Sequence, residues 1–363
     1  MLFIFNKKFQ SLLLGSAIAF ATASVTKAQS DTKEISINFA AYVGDEEFAC
    51  GESYGGVGTE QSTITPKDFR FYVSDLALID ETGNAVPVEL EQDGKWQYEN
   101  TVLLDFEDGA STCDNGTAEI NTKVLGIVPE GDYQSLQFTM GVPKKLNHND
   151  AAIAPSPLNL TSMWWNWQGG YKFLRVDLET ESEIATVSTT TSDGQDGILI
   201  NEQSTHSNTT GGQHTHQTSR QASIFKNGQG SHSQTSSTHT SQAGSHGQHG
   251  GGSHKEHQNM SSNDYLIHLG STGCSESAQS SLFGCANPNR VQVKLEDFDP
   301  EDDVIIADLG ELLAQSDLTV NQANTPNGCM SSPEDSDCMP IMQNLNLSPA
   351  TAEESGQYFF FVE

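Results

Sequence analysis

The run DFRFYVSDLALID (Asp68–Asp80) limits the choice of fold more than any other stretch, because its apolar residues recur at every second position. Phe69, Phe71 and Val73 fall on one side of an extended chain, with Arg70 and Tyr72 on the other. That is the period of a strand, not of a helix. VPVEL, TVLLDFE, QSLQFTM and YKFLRVDLE follow, and late in the chain RVQVKLEDF alternates Val291, Val293 and Leu295 with Gln292, Lys294 and Glu296. Turn signals such as Glu81-Thr82-Gly83-Asn84 and Pro129-Glu130-Gly131-Asp132 separate these runs. Only VIIADLGELLAQ and CMPIMQNLNL are suited to a helical turn or two. Short strands without strand–helix alternation predict an all-β fold, an antiparallel Ig-like β-sandwich with long loops built around one core.

Two segments depart from this pattern. The N-terminus places Lys7 and Lys8 before an apolar run, Leu12 to Ala21, that is too short to span a bilayer. Small residues follow, with cleavage expected after Ala23 or Ala28, so residues 1–28 read as a secretory signal peptide and the mature chain as periplasmic or extracellular. Residues 189–263 turn to Ser, Thr, Gly, Gln and His and bury too little apolar surface to offset the entropy of ordering. They read as a disordered insertion within a single domain made of residues 29–188 and 264–363. The net charge of −31 argues against nucleic acid or anionic lipid as a partner. No Asp-x-Asp-x-Asp-Gly loop gathers the carboxylates around a calcium ion.

Export changes the reading of the cysteines, since an even number in an oxidising compartment predicts disulfides. Six cysteines allow fifteen pairings. Nearness in sequence favours Cys274 with Cys285 and Cys329 with Cys338, leaving Cys50 with Cys113.

Nine of the eleven histidines lie between Ser204 and His257. His214 with His216, His246 with His249, and His254 with His257 put pairs of imidazoles within reach of one ion, and flexible Gly and Ser let the backbone wrap around it. The expectation is auxiliary binding of copper, or of zinc, lost as pH falls through about 6.5. A polar spacer with incidental histidines is the plainer alternative.

Only His148 and His268 stand outside the tract. A third cluster is aromatic: MWWNWQGGYKF holds Trp164, Trp165 and Trp167, three of the four tryptophans. These indoles suit a core, a sugar-stacking platform, or a substrate for oxidation. The segments FACGE, DFRFYVSDLAL, TVLLDFE, GVPKKLNHND, SPLNLTSMWWNWQGGYKF, HLGSTGC, CANPNRVQVKLEDFD and NGCMSSPEDSDCMP, in this order, resemble the MbnP-like family of secreted copper-associated proteins. That family is also described by its four-Cys metallo-mystery-pair motif and includes the copper-binding MopE and CorA type.

The resemblance implies a β-sandwich that binds copper without being an enzyme, and a di-haem peroxidase-like partner of the MbnH type that oxidises one tryptophan to kynurenine. Indole N–H is a donor only, whereas kynurenine offers an amine and a carbonyl beside imidazole ligands. His148 and His268 are then the expected metal ligands, and Trp165 and Trp167, on one face of an extended segment, the expected oxidised residues. The Trp-x-His arrangement of the MopE type is absent, so either the second ligand comes from a distant segment, or the ordered domain has no such site and the tract handles copper. Met163, Met330, Met339 and Met342 are further soft donors or packing residues.

Two other classes remain in view. A carbohydrate-binding or adhesion sandwich would use an exposed Trp164 or Trp165, but leaves the tract unexplained. A metallohydrolase built on His148 and His268 lacks H-E-x-x-H, G-x-S-x-G or paired catalytic carboxylates.

Overall fold

A computed structural model describes residues 31–190, 197–201, 261–276, 283–347 and 357–363. The signal peptide expected at 1–28, and the tract ligands His214, His216, His246, His249, His254 and His257, lie outside the described residues.

The principal strands, in chain order, begin with β1 (Thr32–Val43), β2 (Ser62–Asp80), β3 (Thr101–Asp105), β4 (Lys123–Pro129) and β5 (Tyr133–Met140). The middle of the chain adds β6 (Trp164–Asn166), β7 (Gly170–Thr180), β8 (Ala185–Thr190) and β9 (Gly197–Asn201). Next come β10 (Asp264–Gly270), β11 (Thr272–Glu276), β12 (Phe283–Asn287), β13 (Val291–Glu296) and β14 (Val304–Asp308). Helix α1 (Leu309–Leu313), β15 (Val320–Gln322), β16 (Gly328–Cys329), helix α2 (Cys338–Asn344) and β17 (Phe360–Val362) complete the chain.

The larger sheet runs β13-β5-β2-β7-β10-β16, and the smaller one runs β17-β14-β1-β4 with a two-residue strand at its edge. Their facing sides form the core of a β-sandwich. Ile35, Ile37, Phe39, Ala41 and Val43 of β1 are buried in one cluster with Phe69, Phe71 and Val73 of β2. Phe39 meets Phe71 and Phe138 edge-on at 6.2 and 5.8 Å between ring centroids, the geometry that aromatic quadrupoles favour. Strand β13 shows the expected alternation, with Val291, Val293 and Leu295 buried and the residues between them exposed.

Strand β2 is covered on both sides. Tyr72 joins a second apolar cluster with Leu103, Val142, Leu146, Leu158, Met163, Tyr171 and Phe173. The loop between β5 and β6 therefore lies over the outer face of the larger sheet and holds His148 against it.

Most pairs are antiparallel, as expected, but three are parallel among the described residues: β1 with β14, β8 with β15, and β10 with β16. Each joins segments far apart in sequence, where no hairpin turn imposes direction. The two helix-compatible stretches form α1, capped by the Asp308 carboxylate at 2.7 Å from Gly310 N, and α2. The disulfides are Cys50–Cys113, Cys274–Cys285 and Cys329–Cys338, the pairing that sequence proximity favoured. No helix among the described residues is long and apolar enough to cross a membrane.

Candidate metal centre

The tryptophan segment folds as a short hairpin. A single 3-10 turn at Thr161–Met163 leads into β6, which pairs with the start of β7 through a register shift between Trp164 and Asn166. The chain turns at Trp167, where the Asn166 side-chain oxygen accepts from Gln168 N at 2.9 Å and Gly169 N at 2.7 Å. Gly170 closes the turn at φ +80°, and a Cβ there would lie 2.5 Å from the carbonyl oxygen of Asn147, so glycine alone fits. Asn147 in turn accepts from Tyr171 N at 3.0 Å. The hairpin and the 141–149 loop are thus stitched together at the residue beside His148.

The alternation expected of an extended segment stops at Asn166, so Trp165 and Trp167 do not share a strand face. Trp164 is half-buried against the second apolar cluster, and its indole N–H has no hydrogen-bond partner. Trp165 is half-buried, with its ring edge 2.5 Å from where a Cβ on Gly270 would be. Trp167 is 57% exposed. A sugar platform built on Trp164 or Trp165 would therefore present half-covered rings.

His148 sits half-buried beside this turn. Its Nδ1 is 3.1 Å from the carbonyl oxygen of Trp167. A carbonyl only accepts, so Nδ1 carries the proton and the lone pair of the neutral ring is on Nε2. Burial lowers the His148 pKa from its ordinary value, opposed by the bond to Trp167, and the ring stays neutral at pH 7. Nε2 lies 3.6 Å from Cys285 Sγ and 3.4 Å from the Asn147 side-chain nitrogen.

Cys285 is bonded to Cys274 directly across the β11–β12 hairpin. Cys274 also lines a groove with Trp165, Asn166, Gln168, Gly169, Ser271, Thr272, Gly273 and Met330. One thioether and one indole thus share a groove with one sulfur of the disulfide, and His148 Nε2 lies against the other sulfur. Among the described residues, His148, Cys274 and Cys285 place a ligand atom each within 4.8 Å of one another.

His268 has different surroundings. It is buried on β10, opposite Arg175 of β7, which is opposite Arg70 of β2. Its Nε2–H donates to Asp177 at 2.7 Å, and Arg175 holds the other Asp177 oxygen at 2.6 Å. Arg175 also meets Asp68 at 3.0 Å, Asp68 pairs with Arg70, and Arg70 reaches Glu107 at 3.2 Å.

A ladder of ions therefore crosses three strands beneath the loop. Burial works to protonate Asp177, but His268 and Arg175 overcome it and hold the carboxyl far below the usual range. Burial lowers His268, with Asp177 opposing. At the far end of the ladder, burial raises Asp105 to about 7 and Glu107 to about 8, with Arg70 opposing in both cases.

The structure therefore brings His148, Trp165, Trp167 and Met330 around one hairpin and places His268 in the ladder. Met163 is buried in the second apolar cluster, Met339 is exposed on α2, and Met342 packs against the main core. Asn147 and the ladder are not among the residues that the sequence singles out. A charged residue in the middle of an otherwise apolar strand, as in YKFLRVDLE, is the signal that marks such a ladder. Nothing local marks the approach of His148 to Cys285.

A comparison with curated proteins returns no match. The solved structure of MbnP from Methylosinus trichosporium superposes with a TM-score of 0.62 at 23% identity, covering 92% of this chain and 98% of that one. At that identity the likeness speaks for the fold. The family model for MbnP matches residues 32–226, more than half of the sequence, and the chain belongs to the MbnP family.

Proposed function

We propose that this protein is an exported, non-enzymatic copper carrier or store that holds the ion at His148, beside the tryptophan hairpin. Membership of the MbnP family supports a copper-related role. The observation that carries the reading is the bond from His148 Nδ1 to the Trp167 carbonyl. It joins the imidazole donor and the tryptophan turn into one unit and aims the lone pair of Nε2 away from it. The residues fit a soft or borderline ion: a neutral imidazole against the Cys285 sulfur, the Met330 thioether in the groove that Cys274 lines, and no carboxylate lining that groove.

The finer reading follows the family. A di-haem peroxidase-like partner of the MbnH type oxidises Trp165 or Trp167 to kynurenine, whose amine and carbonyl complete the donor set. Exposure makes Trp167 the easier of the two to reach, and Trp165 lines the groove. Three disulfides accord with a periplasmic or extracellular location. The histidine tract adds weaker imidazole sites for copper.

Protein purified from its native host tests this through its copper content together with a peptide map of Met163–Phe173. The reading requires bound copper and a mass change at Trp165 or Trp167. Copper-free protein would refute the copper role, and copper with unmodified tryptophans would refute the kynurenine step.

A further inference from the structure

The three disulfides differ in access. Cys113, Cys329 and Cys338 are buried, with at most 2% of their surface exposed, so the Cys50–Cys113 and Cys329–Cys338 bridges each have at least one sulfur enclosed. Cys285 is half-buried and Cys274 is the more enclosed of the pair, and the β11–β12 hairpin that carries them forms a two-stranded sheet apart from the sandwich. A reductant reaches this bridge from the Cys285 side, and the hairpin can shift without disturbing the core.

The His148 ring already faces that bridge, with Nε2 3.6 Å from Cys285 Sγ. Ligand bonds of roughly 2.0–2.3 Å put the donor atoms of a tetrahedral or trigonal site about 3.5–4 Å apart. The nitrogen–sulfur separation in the closed protein is thus already that of two ligands sharing one ion. Only the sulfurs have to move apart.

We propose that opening the Cys274–Cys285 disulfide with a dithiol converts His148, Cys274 and Cys285 into a two-sulfur, one-nitrogen site for a cuprous ion. The dithiol is oxidised to its own disulfide and passes two electrons and two protons to the bridge, leaving two thiols. On binding, the thiols release both protons to solvent and the thiolates and His148 Nε2 each donate one lone pair. The tie from Nδ1 to the Trp167 carbonyl fixes the ring orientation, as an outer partner does for a metal-bound imidazole. Thiolate sulfur selects the cuprous state over harder ions. This site is separate in kind from the imidazole–kynurenine set, because it forms only in the reduced hairpin.

The test uses the full chain under anaerobic conditions. Limited dithiol treatment is followed by removal of the reagent, and differential alkylation with peptide mapping verifies that Cys274 and Cys285 alone have opened. Opened and unopened samples are then titrated with cuprous ion against a competing chelator, reading the thiolate-to-copper charge-transfer absorption that imidazoles do not give. The expected result is one such site per opened chain and none in the unopened chain. His148→Gln should keep the absorption but weaken binding at least about tenfold, the scale on which metal sites respond to loss of a supporting group.

An opened chain without the absorption, or a His148→Gln variant that binds as tightly as the natural chain, would overturn the proposal. Copper-free protein from the native host would count against the copper-carrier reading and leave this result standing.

Discussion

At the scale of the residue, His148 is held on two sides. The Trp167 carbonyl accepts a hydrogen bond from its Nδ1–H, and Asn147 anchors the adjacent backbone through Tyr171 N. His148→Gln should leave the fold intact and weaken the tightest copper site of the full chain by at least about tenfold in a chelator competition. Equal affinity in the variant would move the ligand elsewhere. Gly170 is the packing counterpart. Its φ of +80° and the close approach of Asn147 predict that Gly170→Ala costs about 1–3 kcal/mol in denaturant unfolding, whereas a cost below about 0.5 kcal/mol would show that the turn relaxes freely. His148 and Trp165 are legible in the sequence, one as a histidine outside the tract and the other within a rare aromatic cluster. The contact of His148 with Cys285 spans 137 positions and exists only because the 141–163 loop folds back over β7, so no local pattern announces it.

At the scale of the element, period-two alternation identifies β2 and β13 because their inward residues are apolar. It does not foretell that the outward face of β2 is also covered. Arg70, Arg175 and His268 reveal themselves as a ladder only once β2, β7 and β10 are placed in register. Arg175 balances both Asp68 and Asp177, so Arg175→Met leaves buried carboxylates short of a partner. The expected loss is about 3–5 kcal/mol, read by chemical denaturation, and a loss under 1 kcal/mol would argue that water reaches the ladder.

The ladder also sets a pH dependence. Burial holds Asp105 and Glu107 protonated up to about 7 and about 8, while in the unfolded chain they ionise in the ordinary carboxylate range. The folded state then binds more protons than the unfolded one, so these two groups remove stability as pH rises from about 5 to about 8. The slope is at most about 1.4 kcal/mol per pH unit for each group. Glu107→Gln should flatten the upper part of that fall, and an unchanged slope in denaturation at pH 6, 7 and 8 would contradict the assignment.

At the scale of the whole molecule, the sandwich is closed by pairings between distant segments. Strand β1 meets β14, and β17 follows on the other side of β14. Alternation and turn signals specify the fold class, but not these parallel contacts, whose partners are set by which edges remain uncovered. The histidine-rich insertion enters and leaves the domain at neighbouring points. Asn201 pairs with Thr186, and Ser262 O accepts from Ile184 N at 3.0 Å. Replacing residues 202–260 by a short Gly-Ser linker should therefore keep the melting temperature within about 3 °C, since shortening a loop changes closure entropy only slowly. The same variant should lose the weaker metal sites while keeping the tight one. A collapse in melting temperature would mean that the insertion contributes to the core.

The copper site proposed above is at His148 and not at His268 in the ladder. An anomalous difference map collected at the copper edge from crystals of the copper-loaded full chain decides between them. The expected result is a peak within bonding distance of His148 Nε2, with His268 Nε2 still hydrogen-bonded to Asp177. An ordered copper peak in the domain that leaves His148 Nε2 uncoordinated would contradict it.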